Sequence, residues 1–388
     1  VIERVLPALI FLVCLTYWWA QLFYLNSSGE LTMTLRAATR ISKLNISGWH
    51  SLLVFLLLVV PATSLNAQPK PSGYHVTKQI KLGGEGGWDY LTMDQKGRRV
   101  YISRSTHVMV VDADSGALLG DIPGTAGVHG IAVVSDLNKG FTSNGRDSTV
   151  TVFDLKTLKV LKQVPVGKNP DAIIYDTASK RVFTFNGASK DTTAIDPQTE
   201  TVAGTIALDG RPEFAVSDQA GHIFVNLEDK NEIVELDTRK LAVITRWSLA
   251  PGEEPSGLAF DLKHKRLFSV CSNKLMVVMN SENGKVITTV PIGGGVDAAG
   301  FDPETGLAFS SNGEGTLTVV HEDSPDKFTV VENVTTQKGA RTMTLDPKTH
   351  RVFTVSAEFG PAPAPTPERP RPRPSIVPGS FTLLIIEK

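Results

Sequence analysis

About seven in-phase repeats of about 42 residues, four short β-type runs within each, and turn residues between the runs predict an all-β chain. The expected architecture is a seven-bladed β-propeller of four-stranded antiparallel blades, closed by the N-terminal strand pairing in the last blade. One run recurs as VMVVD to Asp112, VTVFD to Asp154, TTAID to Asp196, IVELD to Asp237, MVVMN to Asn280 and LTVVH to His321, at steps of 42, 42, 41, 43 and 41 residues. A second run keeps phase through an aromatic residue: Tyr101, Phe141, Phe183, Phe224, Phe268, Phe309 and Phe353.

The second repeat shows the elements in order. GIAVV, GFTSN, TVTVF and VLKQVPV are strand-like, and Asn138-Lys139-Gly140 and Asn144-Gly145-Arg146-Asp147 are turn-forming. A lone blade of this kind leaves both faces apolar, so neighbours must stack and the stack must bend into a ring. The Asp after the third strand opens turns such as DLKTLK, where its carboxylate can accept local N–H groups.

The two ends of the repeat region complete each other. The last repeat runs from HRVFTV into a Pro-rich insertion at 360–379 and returns as SFTLLIIEK, a third strand without a fourth. YHVTKQIKLGG, just before the first repeat, has the pattern of the missing strand, and pairing it there removes an open edge. The prolines of the insertion lack N–H donors and fix φ, so it is expected as an extended loop carrying Arg369, Arg371 and Arg373, able to dock a partner or fold over one face of the ring.

Two apolar runs precede residue 74. Residues 33–67 read as a secretory signal: Met33, basic Arg36, Arg40 and Lys43, an apolar core at 52–60, then Pro61 and small residues to Ala67. Residues 1–32 hold a longer apolar stretch at 5–25, either a transmembrane helix or sequence upstream of the true start. Both versions export the repeats to the periplasm or outside the cell, and membrane association requires that 5–25 be retained. The propeller proper is expected at 74–388, as a monomer.

Charge is balanced, with 39 Lys+Arg against 40 Asp+Glu, so nucleic acid is not an expected partner. Of the two cysteines, Cys14 precedes the expected cleavage site and Cys271 follows a strand-like LFSV, which leaves an inert buried thiol. No CxxCH, HExxH, GxSxG or Walker A pattern occurs, which argues against the common enzyme classes.

The run GFTSNGRDSTVTVFDLKTLKVLKQVPVGKNP resembles the repeat of the YVTN, or YncE-like, β-propellers, and the resemblance extends over about 74–388. It departs at SVCSN in the fifth repeat and at the insertion. The resemblance implies the propeller fold and export, and leaves the activity open.

Inner strands of a propeller line its channel. Twelve residues before each second-strand aromatic (eleven in the fourth repeat) lie Asp89, His129, Asp171, Glu213, Ser256, Asp297 and Arg341. A polar ring at one channel mouth is the expected binding site for a small molecule or protein partner. A divalent metal ion is the cofactor such a ring suggests, with Asp89, His129, Asp171, Glu213 and Asp297 as ligands. The alternative activity is a metal-assisted hydrolase of lactone type. Arg341 suits a carboxylate or phosphate. GGEGGW and PIGGGVD read as tight turns near the mouth, and His222, His264, His321 and His350 as surface residues.

Overall fold

The computed structural model describes residues 71–366 and 374–388, with two three-residue strands, β1 (Phe23–Leu25) and β2 (Leu31–Met33), in a separate N-terminal unit. These two pair antiparallel, Phe23 opposite Met33. β1 occupies the end of the apolar run at 5–25; the rest of that run and nearly all of the expected signal at 33–67 lie outside the described residues. Among the described residues no helix is long and apolar enough to cross a membrane.

The repeat region is an all-β propeller of antiparallel sheets. Four sheets are four-stranded and sequential. They begin at inner strands β10 (Pro170–Asp176), β14 (Pro212–Ser217), β18 (Pro255–Asp261) and β22 (Val296–Asp302). A fifth contains β26 (Met343–Asp346), β27 (Arg351–Ser356) and β28 (Thr382–Glu387), and its outer strand is β3 (His75–Lys81) from the start of the region. Leu383 faces Ile80 and Leu384 faces Gln79, so the N-terminal strand closes the last sheet.

The expectation of seven separate blades is corrected to six sheets, because the first two repeats share one six-stranded sheet. It runs from β4 (Leu91–Asp94) through β5 (Arg99–Asp112) and β6 (Leu118–Val134) to β7 (Lys139–Asn144), β8 (Thr149–Asp154) and β9 (Val160–Pro165). Ser105 takes a left-handed φ of 57° within β5, so this strand turns without leaving the ladder. β6 passes from the outer edge of one repeat into the inner position of the next, and Ser105 pairing with Val128 ties the two together.

Burial follows the order of strands. β8 is buried through Val150–Phe153 while β9 exposes every residue but Val164, consistent with its Lys162 and Gln163. Tyr101, Phe141, Phe183, Phe224, Phe268, Phe309 and Phe353 are all buried, Tyr101 between the two halves of the six-stranded sheet. Each such ring contributes about 1.5–3 kcal/mol of burial, so the repeating aromatic is a major source of cohesion. The Asp turns form as expected: Asp112 accepts the Ser115 N–H at 2.7 Å and Asp154 the Thr157 N–H at 2.7 Å. Both carboxyls are held below their ordinary range by these bonds. Cys271 is buried, and desolvation pushes its thiol up to about 11.

Inner strands follow one another round a closed ring: β4, the second half of β6, β10, β14, β18, β22, β26 and again β4. That succession brings residues up to 252 apart in sequence to one mouth.

Candidate functional site at the channel mouth

Each predicted position falls at the entry to an inner strand. Asp171, Glu213, Ser256 and Asp297 are the second residues of β10, β14, β18 and β22. Asp89 and Arg341 stand two residues before β4 and β26, and His129 lies within β6. Because the strand entries sit at equal heights, their side chains converge.

Five of the seven form one ion-pair network. His129 Nδ1 stands 2.5 Å from Asp89 Oδ2 and 3.6 Å from Asp171 Oδ1. The Arg341 guanidinium donates to Asp89 Oδ1 at 3.1 Å and to Asp297 Oδ1 at 2.9 Å. Arg341 is therefore engaged by two acids rather than left open for an anionic ligand. The Asp89 N–H donates to Ser103 Oγ at 3.0 Å, which fixes the backbone of the central acid. Ser256 is peripheral: its hydroxyl donates to the Asp297 carbonyl at 3.0 Å. Glu213 has no cation in contact, but it lies near enough for Asp171, Asp297 and Asp89 all to act on it.

Four carboxyls share the mouth with two cations, and their protonation reflects the imbalance. Burial, reinforced by neighbouring acids, pushes Glu213 up to about 9. Asp297 rises to about 8 through burial, opposed by Arg341, and Asp171 to about 7 through burial, opposed by His129. Burial alone would lower His129, but the Asp89 hydrogen bond and the Asp171 charge override it and hold the imidazole at about 9. Arg341 is raised by Asp297 and Asp89 against its own burial. These groups titrate as a set, with His129 charged and Glu213 protonated near neutrality. Asp171 Oδ1 is buried without a hydrogen-bond partner.

Tyr90 was not among the expected site residues. Its ring stacks on Phe214 across the ring at 5.1 Å, and its hydroxyl donates to the Glu213 carbonyl at 3.4 Å. Burial and the surrounding carboxylates keep this phenol well above its ordinary 10. The signal for it was one residue away, in the sequence Trp88-Asp89-Tyr90.

A cavity of about 1290 Å³ adjoins Arg341 on the side of the Pro-rich arm. Its walls include Trp88, Phe359 and Ile376, and Lys338 and Glu358 stand at its edge. Residues 367–373 of the arm, with Arg369, Arg371 and Arg373, lie outside the described residues. Its base is pinned: Phe359 bridges Ile376, Gly360 donates to the Ser375 carbonyl at 2.8 Å, and Val377 donates to the Glu358 carbonyl at 2.8 Å. The GGEGGW turn is held from below by Arg104, a buried guanidinium that donates to the carbonyls of Gly83 and Gly86 at 3.0 Å and lies over the Phe381 ring. Carbonyls therefore meet the cation here, in place of an N–H cradle for phosphate.

Three of the other histidines stand beside carboxylates: His222 by Asp218 at 2.8 Å, His321 by Asp323 at 2.8 Å and His350 by Asp302 at 2.7 Å. His264 pairs with two acids in a cluster apart from the mouth.

Nitrogen and oxygen atoms of Asp89, His129 and Asp171 lie within 4.8 Å of one another. Two ligands of one tetrahedral ion, at about 2.0–2.2 Å, stand about 3.3–3.6 Å apart. Asp89 and His129 are closer than that, at 2.5 Å, as in a charged hydrogen bond, and the second Asp89 oxygen holds Arg341. Glu213 and Asp297 do not join the three-residue group. In this arrangement Asp89 and His129 serve each other rather than an ion.

No family model matches this chain, and none of the curated proteins does. Among solved structures it is similar to Kuenenia stuttgartiensis hydrazine synthase, with a TM-score of 0.62 and 16% identity over 73% of this chain and 95% of that one. At that identity the likeness is one of fold, and the fold is the β-propeller.

Proposed function

We propose that this chain is an exported, monomeric propeller of YVTN type that binds a small donor-rich ligand, cationic or polyhydroxylated, at its channel mouth. The observation that carries the reading is the buried, unpartnered Oδ1 of Asp171 in a network where acids outnumber cations. A buried acceptor without a donor costs about 1–3 kcal/mol, which a ligand hydroxyl or ammonium would offset. The YVTN assignment rests on the repeat, and counts the six-stranded sheet as two units joined through β5 and β6. The propeller fold agrees with a scaffold role.

Calorimetry of the full chain with a short alkyl diamine and with a neutral monosaccharide tests the site. Binding of either, weakened at least tenfold by Asp171→Asn, is the expected result. No heat from either, or equal affinity in the variant, would overturn the assignment.

The second reading, a metal-assisted lactone hydrolase, is favoured by the grouping of Asp89, His129 and Asp171 within 4.8 Å. It requires Asp89 to exchange its hydrogen bond with His129 for an ion. Lactone hydrolysis that depends on added divalent metal and is lost in His129→Ala would establish it, and its absence would leave the binding function alone.

A further inference from the structure

A second group of possible ligands lies at the other end of the inner strands. Asp261 ends β18, and Ser256 at the mouth is five residues earlier, about 17 Å along the strand. Asp261 Oδ2 and Glu322 Oε1 each stand 2.8 Å from His264 Nδ1. Glu322 comes from β24 (Thr316–Ser324) of the neighbouring sheet, so the group joins two sheets.

The repeat shows what is unusual here. At equivalent turns the buried Asp meets a positive or donor group from the next sheet: Asp176 accepts from the hydroxyl of Ser217, Asp302 lies beside the imidazole of His350, and Asp346 faces the charge of Arg98, each at 2.7 Å. Asp302 and Asp346 also take a hydroxyl three residues on, from Thr305 and Thr349. At Asp261 the residue three on is His264, and the neighbour sheet supplies Glu322, a second acid. Two acids face each other where the fold elsewhere pairs acid with donor.

The orientation adds a second observation. The Asp261 and Glu322 side chains are 2% and 4% exposed. Despite the short separations, His264 Nδ1 and Glu322 Oε1 are buried without a hydrogen-bond partner. Neither oxygen thus lies along an Nδ1–H direction. The nearby Arg266 gives no relief, because its guanidinium is used by the carbonyls of Pro325, His264 and Lys265 and by Asp326.

We propose that Asp261, His264 and Glu322 form a site for a divalent transition-metal ion that ties the β18 sheet to the β22 sheet. One imidazole with two carboxylates suits ions such as Zn²⁺, and the 2.8 Å separations need open by only about 0.5 Å to reach the spacing of two ligands about 2.0 Å from a tetrahedral ion. The ion supplies the positive charge that a donor supplies at the equivalent turns.

Zn²⁺ is titrated calorimetrically into chelator-treated full chain and into His129→Ala, His264→Ala and Glu322→Gln. Zn²⁺ binding that His129→Ala retains, and that His264→Ala and Glu322→Gln each weaken at least tenfold, is expected. Glu322→Gln is nearly isosteric, so it reports ligation should His264→Ala disturb the turn. It should also raise the Tm of the metal-free protein, by relieving acid against acid, while shrinking the rise that Zn²⁺ produces. Absence of Zn²⁺ binding, or unchanged affinity in both cluster variants, would overturn the proposal. So would binding lost in His129→Ala and kept in the cluster variants, which places the ion at the mouth.

Discussion

Two residues at the mouth carry pH linkages of the same sign but different origin, burial for Glu213 and ion pairing for His129. Glu213 is raised from its ordinary 4.5 to about 9, so the unfolded chain releases this proton first. Between about pH 4.5 and 9 the native state holds the extra proton, and stability falls as pH rises through that window. Glu213→Gln keeps the shape and removes the ionisation. Its Tm should match wild type near pH 5 and exceed it by several degrees at pH 9, in a scan of melting against pH. His129 is raised from 6.5 to about 9, so its contribution is complete below 6.5 and is lost as pH rises through 9. An NMR titration of the His129 ring should give a midpoint above 8; a midpoint below 7 would dissolve the proposed network. All seven positions were legible from counting back along the repeat, because a fixed strand length fixes the height of the strand entry. Their pairing was not legible. Which acid meets Arg341 depends on the order of sheets round the ring, and Tyr90 meets Phe214 only across it.

At the scale of elements, close approach of inner strands decides what the sequence tolerates. A Cβ at Gly257 of β18 would stand 2.5 Å from the Ala299 nitrogen and 2.6 Å from the Ala298 carbonyl carbon, both backbone atoms of β22. Backbone cannot rotate away as a side chain can. Gly257→Ala should therefore cost about 2–3 kcal/mol, read as a lowered denaturation midpoint. Gly187→Ala, whose nearest neighbour is a side-chain atom at 3.4 Å, should change stability by less than about 0.5 kcal/mol. The Pro-rich arm shows where element reasoning stops. Proline excludes regular strand at its centre, but the arm's direction is set by contacts made only after folding. Phe359 seats on Gly339, where a Cβ would meet its ring at 2.8 Å, and also packs against Trp88. Gly339→Ala should displace Phe359 and reshape the cavity beside Arg341. An altered environment of Trp88, read as a shift in intrinsic tryptophan fluorescence, checks this.

At the scale of the whole molecule, the repeat dictated a ring and the chain ends dictated its closure, while the number of sheets depended on one strand. β6 runs unbroken from the outer edge of the first repeat into the inner position of the second, and periodicity carries no information about whether a strand breaks there. Closure makes the stronger prediction. β28 is buried through Thr382–Ile386, and β3 covers its open side, with Thr77 donating to Glu387 at 2.9 Å. A chain beginning at Leu82 would leave the edge of this Leu- and Ile-rich strand unpaired. Tyr74, whose hydroxyl donates to the His350 carbonyl at 2.8 Å and whose ring packs on Phe309, would be lost as well. Among the described residues no other strand can complete that sheet, so the edge must find a partner in another molecule. The truncated chain should elute as oligomers or aggregate, and should melt well below a chain beginning at residue 71 in the same buffer. Adding a peptide of residues 71–84 should restore a monomer, since the pairing is antiparallel and needs no covalent link. A truncated chain that stayed monomeric with an unchanged Tm would show that the ring is held by face-to-face packing of its sheets alone.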